Sequence, residues 1–403
     1  MPKTNLPISP FFLILSIALV GMLAPFSIDT YLPSFPSIEN DLLVSRELLT
    51  QSLSIYLVSF AVATLFWGPL SDRFGRKPII LLSLSGFLAA SILAAMATNY
   101  ETLLIGRMLQ GFMVAGSMVA SRAMIRDAFS NQEAQKAMAI MMMLFSIAPA
   151  VAPIIGGWLE VLFGWRSIFY FLAFYGLGLL AIYTFKIAET QDQEHTQSIA
   201  PKKLLASYLQ TIQHPQFLKI VMAQGAMIGG FFIYISGSTS LIYDHLQLGK
   251  QDFWVFVVPV VSGILLGSIA AHRLTHVFSA ANIVNLALAL GLISVTLNVL
   301  IELFSTPPSW LVIAPLVLYT FSFALANPSL SILGLDCLPE KRGMASSMQS
   351  LFQMGTAGVV TALLVPLVHD SLSNMAVAQA MMLSISLLLW LSIRRQLSLQ
   401  TPF

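Results

Sequence analysis

Long apolar segments recur along the whole chain, and they constrain its fold more than any other feature. Each holds about 20 apolar residues, enough to cross a hydrocarbon core of about 30 Å as a helix. Charged residues make up only 9% of the 403 residues, whereas a typical soluble domain carries about 25%. The sequence therefore predicts an all-α membrane protein with twelve transmembrane helices, at residues 10–34, 47–70, 77–97, 101–125, 134–161, 164–187, 214–241, 251–271, 280–303, 309–335, 342–367 and 372–394.

Lysine and arginine fall mainly into alternate loops, which indicates an orientation because cytoplasmic loops retain positive charge. With the N-terminus inside, sixteen of the twenty basic residues are cytoplasmic, while Arg46, Arg166 and Lys250 face outward and Arg107 lies within a span. We therefore expect a multi-pass protein of the cytoplasmic (inner) membrane with both termini cytoplasmic. The first apolar run is longer than a signal-peptide core, so we expect it to stay as a helix.

A polar stretch near the midpoint divides the predicted helices into two sets of six. We predict an N-terminal six-helix bundle at 1–188, a cytoplasmic linker at 189–213 and a C-terminal six-helix bundle at 214–403. Two parallel bundles related by an axis along the membrane normal are a known plan for transporters. A faint repeat, GPLSDRFG at 68–75 and GSIAAHRL at 267–274, favours two pseudo-symmetric bundles.

Several classes of function find no support in the sequence. The six histidines are scattered, and no H-E-x-x-H, G-x-S-x-G or Walker A motif is present, so we expect no catalytic residue, metal site or cofactor. No basic patch with interleaved aromatic residues indicates nucleic-acid binding. The single cysteine, Cys337, cannot form an intramolecular disulfide. Energy for any transport would then come from an ion gradient.

Two ionisable residues inside predicted helices are the main candidates for function. Asp29 lies in the stretch PFSIDTYLPSFP at 25–36, and Arg107 lies in the fourth span. A charge in the bilayer costs at least about 2.5 kcal/mol on insertion scales, so it usually faces a cavity or a partner. Both lie roughly 7–10 Å below the outer ends of their helices, at about 1.5 Å per residue. We predict that Asp29 carries a proton opposite Arg107; alternatively, Asp29 only satisfies backbone donors near its helix end.

Four motifs stand out in the first half of the sequence: DTYLPSFP at 29–36, GPLSDRFGRK at 68–77, RMLQG at 107–111 and APAVAPIIGG at 148–157. Together they resemble the major facilitator superfamily and, within it, the drug/proton antiporters of the bicyclomycin-resistance (Bcr/CflA) branch. GPLSDRFGRK at 68–77 is similar to the cytoplasmic signature between helices two and three, and RMLQG at 107–111 to the R-x-x-Q-G motif of helix four. APAVAPIIGG at 148–157 resembles the antiporter motif of helix five, with two alanines where glycines are usual. DTYLPSFP at 29–36 resembles the branch's D-x-Y-L-P-x-x-P end of helix one.

The resemblance implies roles for two of these motifs. The cytoplasmic signature would form a gate that holds the outward-open state, and a solvated basic loop is the alternative. The helix-five motif would seal the outer side against leak, or would serve helix packing alone. The gate residues are Gly68, Asp72, Arg73, Gly75, Arg76 and Lys77, and the helix-five residues are Pro149, Pro153, Gly156 and Gly157.

Polar and aromatic residues on several helices predict a mostly apolar substrate cavity with a few polar anchors. On helix four, Gln110 and Ser117 share a face with Arg107, which suits a wet cavity wall or a buried face that bonds to other helices. The predicted cavity residues are Phe26, Tyr31, Tyr56, Gln110, Ser117, Tyr234, Ser236 and Asn327.

The sequence thus predicts proton-coupled efflux of small amphipathic molecules, such as drugs or metabolites, by alternating access. The proton gradient would supply the energy, and no cofactor is expected. The expected partners are a small-molecule substrate, protons and membrane lipid but no nucleic acid, and the chain is expected to act as a monomer. A proton-coupled importer or metabolite carrier of the same fold, or a non-transporting membrane sensor, remains open at this point because the motifs do not fix a direction.

Overall fold

The computed structural model describes residues 9–129, 131–191, 201–301 and 308–398, and within these ranges all regular secondary structure is helical. The helices of the first half are α1 (Pro10–Asp29), α2 (Phe35–Leu42), α3 (Arg46–Phe74), α4 (Arg76–Ala95), α5 (Tyr100–Ala128), α6 (Asn131–Phe163) and α7 (Arg166–Phe185). Those of the second half are α8 (Pro201–Ile212), α9 (Pro215–Ser236), α10 (Trp254–Leu274), α11 (Ala280–Ile301), α12 (Ser309–Asp336), α13 (Arg342–Val359), α14 (Val365–Val368) and α15 (Leu372–Ser398).

The helices follow the predicted spans closely. Eleven helical stretches of the described residues are long and apolar enough to cross a membrane, and α6 covers the remaining predicted span. The first span differs in detail: α1 ends at Asp29, and a short 3₁₀ turn at Leu32–Ser34 leads into α2. Proline lacks a backbone N–H, so the prolines of this stretch favour a break in the helix.

The chain divides into two compact units, Met1–Pro201 and Lys202–Phe403. The division falls inside the predicted linker 189–213, of which residues 192–200 lie outside the described part of the chain. Residues Pro201–Ile212 of that linker form α8, a helix that the polar composition did not predict.

Both units contain the same set of helix pairs. In the first unit α5 packs against α3 and α4, α4 packs against α7, and α1 packs against α6. In the second unit α12 packs against α10 and α11, α11 packs against α15, and α9 packs against α13. If the membrane helices of each unit are numbered from one to six, both units pair the fourth helix with the second and third, the third with the sixth, and the first with the fifth. The repeat that is faint in the sequence is therefore clear in the packing.

One glycine forms the turn between α3 and α4. Gly75 has a backbone φ of 100°, a conformation that glycine adopts without the steric cost other residues meet. Its N–H closes α3 on the Ser71 carbonyl, and α4 begins at the next residue. The turn places the residues of the predicted gate motif at one corner of the first unit.

Close backbone contacts hold α5 between its neighbours. Gly111 faces the backbone of Tyr56 on α3, where a Cβ atom would overlap the Tyr56 carbonyl oxygen. On the α4 side, a Cβ atom at Gly106 would lie 3.0 Å from the Cβ of Ala94. Small residues allow this approach in membrane helices. The position of Arg107, between the two glycines in sequence, is thereby set by contacts at the level of the backbone.

Replacing Gly111 with alanine should lower the free energy of unfolding by about 1–3 kcal/mol, because the Tyr56 backbone cannot yield as a flexible side chain would. Thermal unfolding in detergent measures this. Gly178→Ala is the matched control, since Gly178 is exposed on α7 and a Cβ atom there meets nothing within 4 Å. Equal stability of the two variants would contradict the tight α3–α5 contact.

Candidate functional site

Arg107 lies at the centre of a buried polar group in the first unit. Its side chain is fully buried, and Nη1 donates to the Ser27 carbonyl oxygen on α1 at 3.0 Å and to Oε1 of Gln110 at 2.8 Å. Ser27 lies in the last turn of α1, where carbonyl groups lack helical donors and carry partial negative charge. The guanidinium therefore occupies a favourable place for a cation, at the C-terminal end of a helix.

Two tyrosine rings flank the guanidinium. Arg107 Cζ lies 4.8 Å from the ring centroid of Tyr31 and 4.5 Å from that of Tyr56. Each such contact stabilises a desolvated cation by about 2 kcal/mol. The Tyr31 hydroxyl shares a hydrogen bond of 2.8 Å with Ser52 Oγ, and the Tyr56 hydroxyl donates to the Ala24 carbonyl at 3.4 Å. Groups on α1 and α3 thus fix both rings.

Arg107 also has unused hydrogen-bond donors. Its Nε and Nη2 have no acceptor among the described residues. A guanidinium does not lose its proton in proteins, and a buried polar group without a partner costs free energy. This site is therefore ready to receive an anionic or polar acceptor.

Asp29 lies beside this group without joining it directly. It is the last residue of α1, is 7% exposed, and follows the Arg107 acceptor Ser27 by two residues. Within the described ranges, no ion pair joins the Asp29 carboxylate to Arg107. The structure thus brings the two predicted residues to the same helix end, but the guanidinium binds a main-chain carbonyl instead of the carboxylate.

The other predicted cavity residues of the first unit divide into two groups. Tyr31, Tyr56 and Gln110 meet at Arg107, and Gln110 Nε2 also donates to Ser91 Oγ on α4 at 2.8 Å. Phe26 instead packs against the rings of Phe171 and Tyr175 on α7, with centroids 6.0 and 5.6 Å apart. Ser117 donates to the Val114 carbonyl of its own helix at 2.9 Å.

The three predicted cavity residues of the second unit lie in separate hydrogen-bonded pairs. The Tyr234 hydroxyl accepts from Asn298 Nδ2 at 2.9 Å, and Ser236 Oγ shares a bond of 2.8 Å with Thr361 Oγ1. Asn327 Oδ1 accepts from Gln224 Nε2 at 2.9 Å. Gln224 precedes Tyr234 by ten residues on α9, about 15 Å along the helix. The structure therefore does not gather these three side chains at one point.

The sequence analysis did not predict the amide side chains that bind Tyr234 and Asn327, which belong to Asn298 and Gln224. Asn298 Nδ2 also donates to Gln379 Oε1 at 3.0 Å, and Gln379 Nε2 donates to the Gly230 carbonyl at 3.3 Å. Asn298 and Gln379 are both buried, on α11 and α15. A lone amide inside an apolar span was the available signal, since polar side chains often join membrane helices.

The helix-five motif packs against the segment that follows Asp29. A Cβ atom at Gly156 would overlap the Thr30 carbonyl oxygen. One turn further along α6, the buried Glu160 accepts a hydrogen bond from Ser34 Oγ at 2.7 Å. Glu160 was missed, although a carboxylate within an apolar run is the same signal that identified Asp29. Of the remaining motif residues, Pro153 and Gly157 are buried and Pro149 is partly buried.

The cytoplasmic signature forms a charged corner within the first unit. Arg76 Nη1 lies 2.5 Å from Asp72 Oδ1, and Arg76 Nε lies 2.7 Å from Asp127 Oδ2 on α5. Arg76 Nη1 also donates to Ser71 Oγ at 3.0 Å. Asp127 was missed, because only the fold brings the end of α5 to this turn. The guanidinium thus joins α3, α4 and α5.

The remaining signature residues lie around this guanidinium. Lys77 Nζ donates to the Thr184 carbonyl at the end of α7 at 3.2 Å. Arg73 is exposed, with Cζ 5.2 Å from the Phe74 ring centroid. Gly68 is partly buried on α3. Arg76, and not Arg73, is therefore the arginine that carries the contacts of the corner.

Replacing Arg76 with lysine should lower the free energy of unfolding by about 1–3 kcal/mol, because an ammonium group cannot reach two carboxylates in the fixed geometry of a guanidinium. Thermal unfolding in detergent measures the loss. Arg342→Lys is the control, since Arg342 pairs with Asp336 at 2.8 Å with both side chains more than half exposed, and surface pairs contribute about 0–1 kcal/mol. A smaller loss at Arg76 than at Arg342 would contradict this account.

Comparisons with known proteins agree with this arrangement. Residues 17–362 match the sequence profile of the Major Facilitator Superfamily. A bicyclomycin resistance protein homolog of Haemophilus influenzae is 30% identical over 390 residues, which cover 94% of this chain and 95% of that protein. The multidrug resistance protein MdtL of Escherichia coli is 32% identical over 242 residues, 60% of this chain and 61% of that protein.

Solved structures share the fold. The crystal structure of a D-xylose-proton symporter matches with a TM-score of 0.72 at 16% sequence identity, and the match covers 95% of this chain and 98% of that one. The predicted all-helical fold of this superfamily and the resemblance to bicyclomycin-resistance transporters are confirmed. The protein is an integral multi-pass membrane transporter for small molecules, not an enzyme, and the chain belongs to the Major Facilitator Superfamily.

Proposed function

We propose that the protein exports small amphipathic molecules, drugs or metabolites, across the cytoplasmic membrane in exchange for protons. It would work as a monomer by alternating access, with both termini cytoplasmic, no cofactor, and the proton gradient as its energy source. The observation that carries this proposal is the pair of intramembrane charges at the end of α1: Asp29, which is 7% exposed, and Arg107, which is fully buried and has unused donors.

The relatives support export in particular. One relative is named as a homolog of a bicyclomycin resistance protein, and another, MdtL, is named as a multidrug resistance protein. A membrane transporter gives resistance most directly by removing a compound from the cell. The residues at the end of α1 supply the ionisable group that such an exchange with protons requires.

Competition for Asp29 would couple the two fluxes. The ionised carboxylate would accept a cationic or hydrogen-bond-donating group of the substrate, and a proton arriving from outside would displace that group. By thermodynamic linkage, a substrate that binds the ionised form weakens proton binding as much as the proton weakens substrate binding. When no substrate is bound, Arg107 would stabilise the ionised carboxylate of Asp29. Its free Nε and Nη2 donors would move toward that carboxylate.

A proton-coupled importer is the second candidate, and the same two side chains allow it. If the substrate instead places an acceptor on Arg107 while Asp29 is protonated, proton and substrate bind together, and the fluxes run in the same direction. A D-xylose-proton symporter has the same fold, so the fold does not select the direction. The chemistry of the substrate distinguishes the two mechanisms. A substrate whose hydrogen-bond donor binds Asp29 is exchanged for a proton, whereas a substrate whose acceptor binds Arg107 is carried together with a proton.

Replacing Asp29 with asparagine should lower proton-coupled transport at least about tenfold, because an amide at this place cannot bind and release a proton. Inverted membrane vesicles with an acid interior are exposed to amphipathic drugs, and an interior pH dye reports compound-induced proton release. Wild type should release protons, and Asp29→Asn should not.

Asp41→Asn is the matched control for this change. Asp41 lies on α2 and pairs with the half-exposed Arg166 at 2.7 Å, away from the Arg107 group. Its removal should leave proton release within about twofold of wild type, because a surface ion pair contributes about 0–1 kcal/mol. Equal release by wild type and Asp29→Asn would refute the proton role of Asp29, and compound-induced proton uptake would favour the importer.

Replacing Arg107 with lysine should also reduce transport at least about tenfold, although the positive charge is kept. A lysine ammonium is a compact point charge and lacks the planar fork that bonds a carbonyl and an amide while it stacks on two rings. Initial rates in the same vesicles measure the effect. Arg166→Lys, at a half-exposed ion pair with Asp41, should retain transport. Full activity of Arg107→Lys would show that charge alone suffices at this site.

A further inference from the structure

The residues that follow α7 run back over the turn between α3 and α4. We name residues 187–191 the strap. Its Glu189 carboxylate accepts from the backbone N–H of Arg76 at 3.1 Å and of Lys77 at 3.0 Å, the first two residues of α4. The same carboxylate accepts from the N–H groups of Thr190 at 2.8 Å and Gln191 at 3.0 Å. One side chain therefore receives four backbone donors.

The start of α4 is built to hold this carboxylate. The first N–H groups of a helix have no helical acceptor and carry partial positive charge, so an anion is stabilised there. A Cβ atom at Gly75 would lie 2.5 Å from Glu189 Oε2. The glycine of the signature thus serves two purposes, since it permits the left-handed turn and leaves room for the carboxylate of the strap.

Two further contacts join the strap region to the charged corner. Gln191 Nε2 donates to the Asp72 carbonyl oxygen at 2.5 Å. At the other end, Lys77 Nζ donates to the Thr184 carbonyl of α7. Asp72 is also an ion-pair partner of Arg76. The strap is therefore bonded to both sides of the α3–α4 turn, at the residues that also make the corner.

From the strap the chain continues toward Lys202, the first residue of the second unit. We propose that Glu189 is a positioning residue of the transport cycle: it holds the strap on the start of α4, so that release of the strap and rearrangement of the charged corner are coupled. This inference rests on the proposed transport function. In each cycle the Glu189 carboxylate leaves the α4 N-terminus and returns to it.

A single-cysteine probe reports the release of the strap. Thr190 is 5% exposed, and its hydroxyl has no hydrogen-bond partner among the described residues, so a cysteine in its place loses no hydrogen bond. Cys337 is the one cysteine of the chain, and Cys337→Ser removes it. Thr190→Cys in this background is labelled with a membrane-impermeant maleimide on inverted vesicles, which expose the predicted cytoplasmic face.

Labelling should be slow at rest and should accelerate when a proton gradient and a transported drug are both present. Adding Glu189→Gln should raise the resting rate about tenfold or more, because the neutral amide replaces a charged acceptor of four donors. Adding Glu101→Gln should not, since Glu101 is an exposed acid in the first turn of α5. A resting rate unchanged by Glu189→Gln, or a rate unaffected by turnover, would overturn the proposal.

Measurements of transport rate distinguish the proposed coupling from a purely structural role of Glu189 as a cap of α4. Glu189→Gln should lower the turnover of the folded transporter severalfold while the half-saturating drug concentration stays unchanged. A structural cap would lower only the yield of folded protein or its thermal midpoint, and that result would also overturn the proposal. If wild type itself exchanges no protons, the proposed function fails; the effect of Glu189→Gln on resting labelling still decides whether Glu189 anchors the strap.

Discussion

The first unit is organised around the burial of one permanent charge. Arg107 cannot shed its proton, so its removal from water requires compensation at a fixed place. That compensation comes from the carbonyl end of α1, the Tyr31 and Tyr56 rings, and the Gln110 amide, which is itself held by a serine on α4. These groups reach the guanidinium only because α5 approaches its neighbours at backbone distance, as the Gly111 contact illustrates. The small residues of α5 thus bring its neighbours close enough to compensate the buried charge of Arg107.

Arg76 and Arg107 are both buried in the first unit. Their positive charges are compensated by different kinds of group, and this difference matters for function. Arg76 is paired with two carboxylates, and its side chain is 9% exposed. Arg107 is bound by a carbonyl, an amide and two rings, none of which carries a full negative charge, and two of its nitrogens are unused. The charge of Arg76 is therefore already compensated by neighbouring carboxylates, whereas Arg107 keeps two donors that an approaching anion or acceptor can occupy.

The sequence predicts the fold well because membrane insertion imposes a length and a polarity on each helix. It also predicts Asp29 and Arg107 as charges inside apolar spans, where a charge is conspicuous, and both side chains are buried in the structure. It does not identify Ser27, which acts through a main-chain carbonyl that has no side-chain signature. Nor does it identify Glu189 as an α4 anchor, because the contact joins residues 113 apart in the chain. Residues that matter through long-range contacts are visible only in the fold.

The two units also differ in the kind of polarity they bury. In the first unit the buried set includes Asp29, Arg107 and Glu160, whereas the buried polar side chains of the second unit, within the described residues, are hydroxyls, amides and His369. Amides and hydroxyls such as Asn298 neither gain nor lose protons near neutral pH, but they orient hydrogen bonds without the desolvation cost of a charge. Within the described residues, the buried carboxylates, Asp29 and Glu160, therefore both lie in the first unit. Under the proposed export of varied small molecules, the neutral dipoles of the second unit would favour substrates of neither sign of charge, because amides and hydroxyls carry both donors and acceptors.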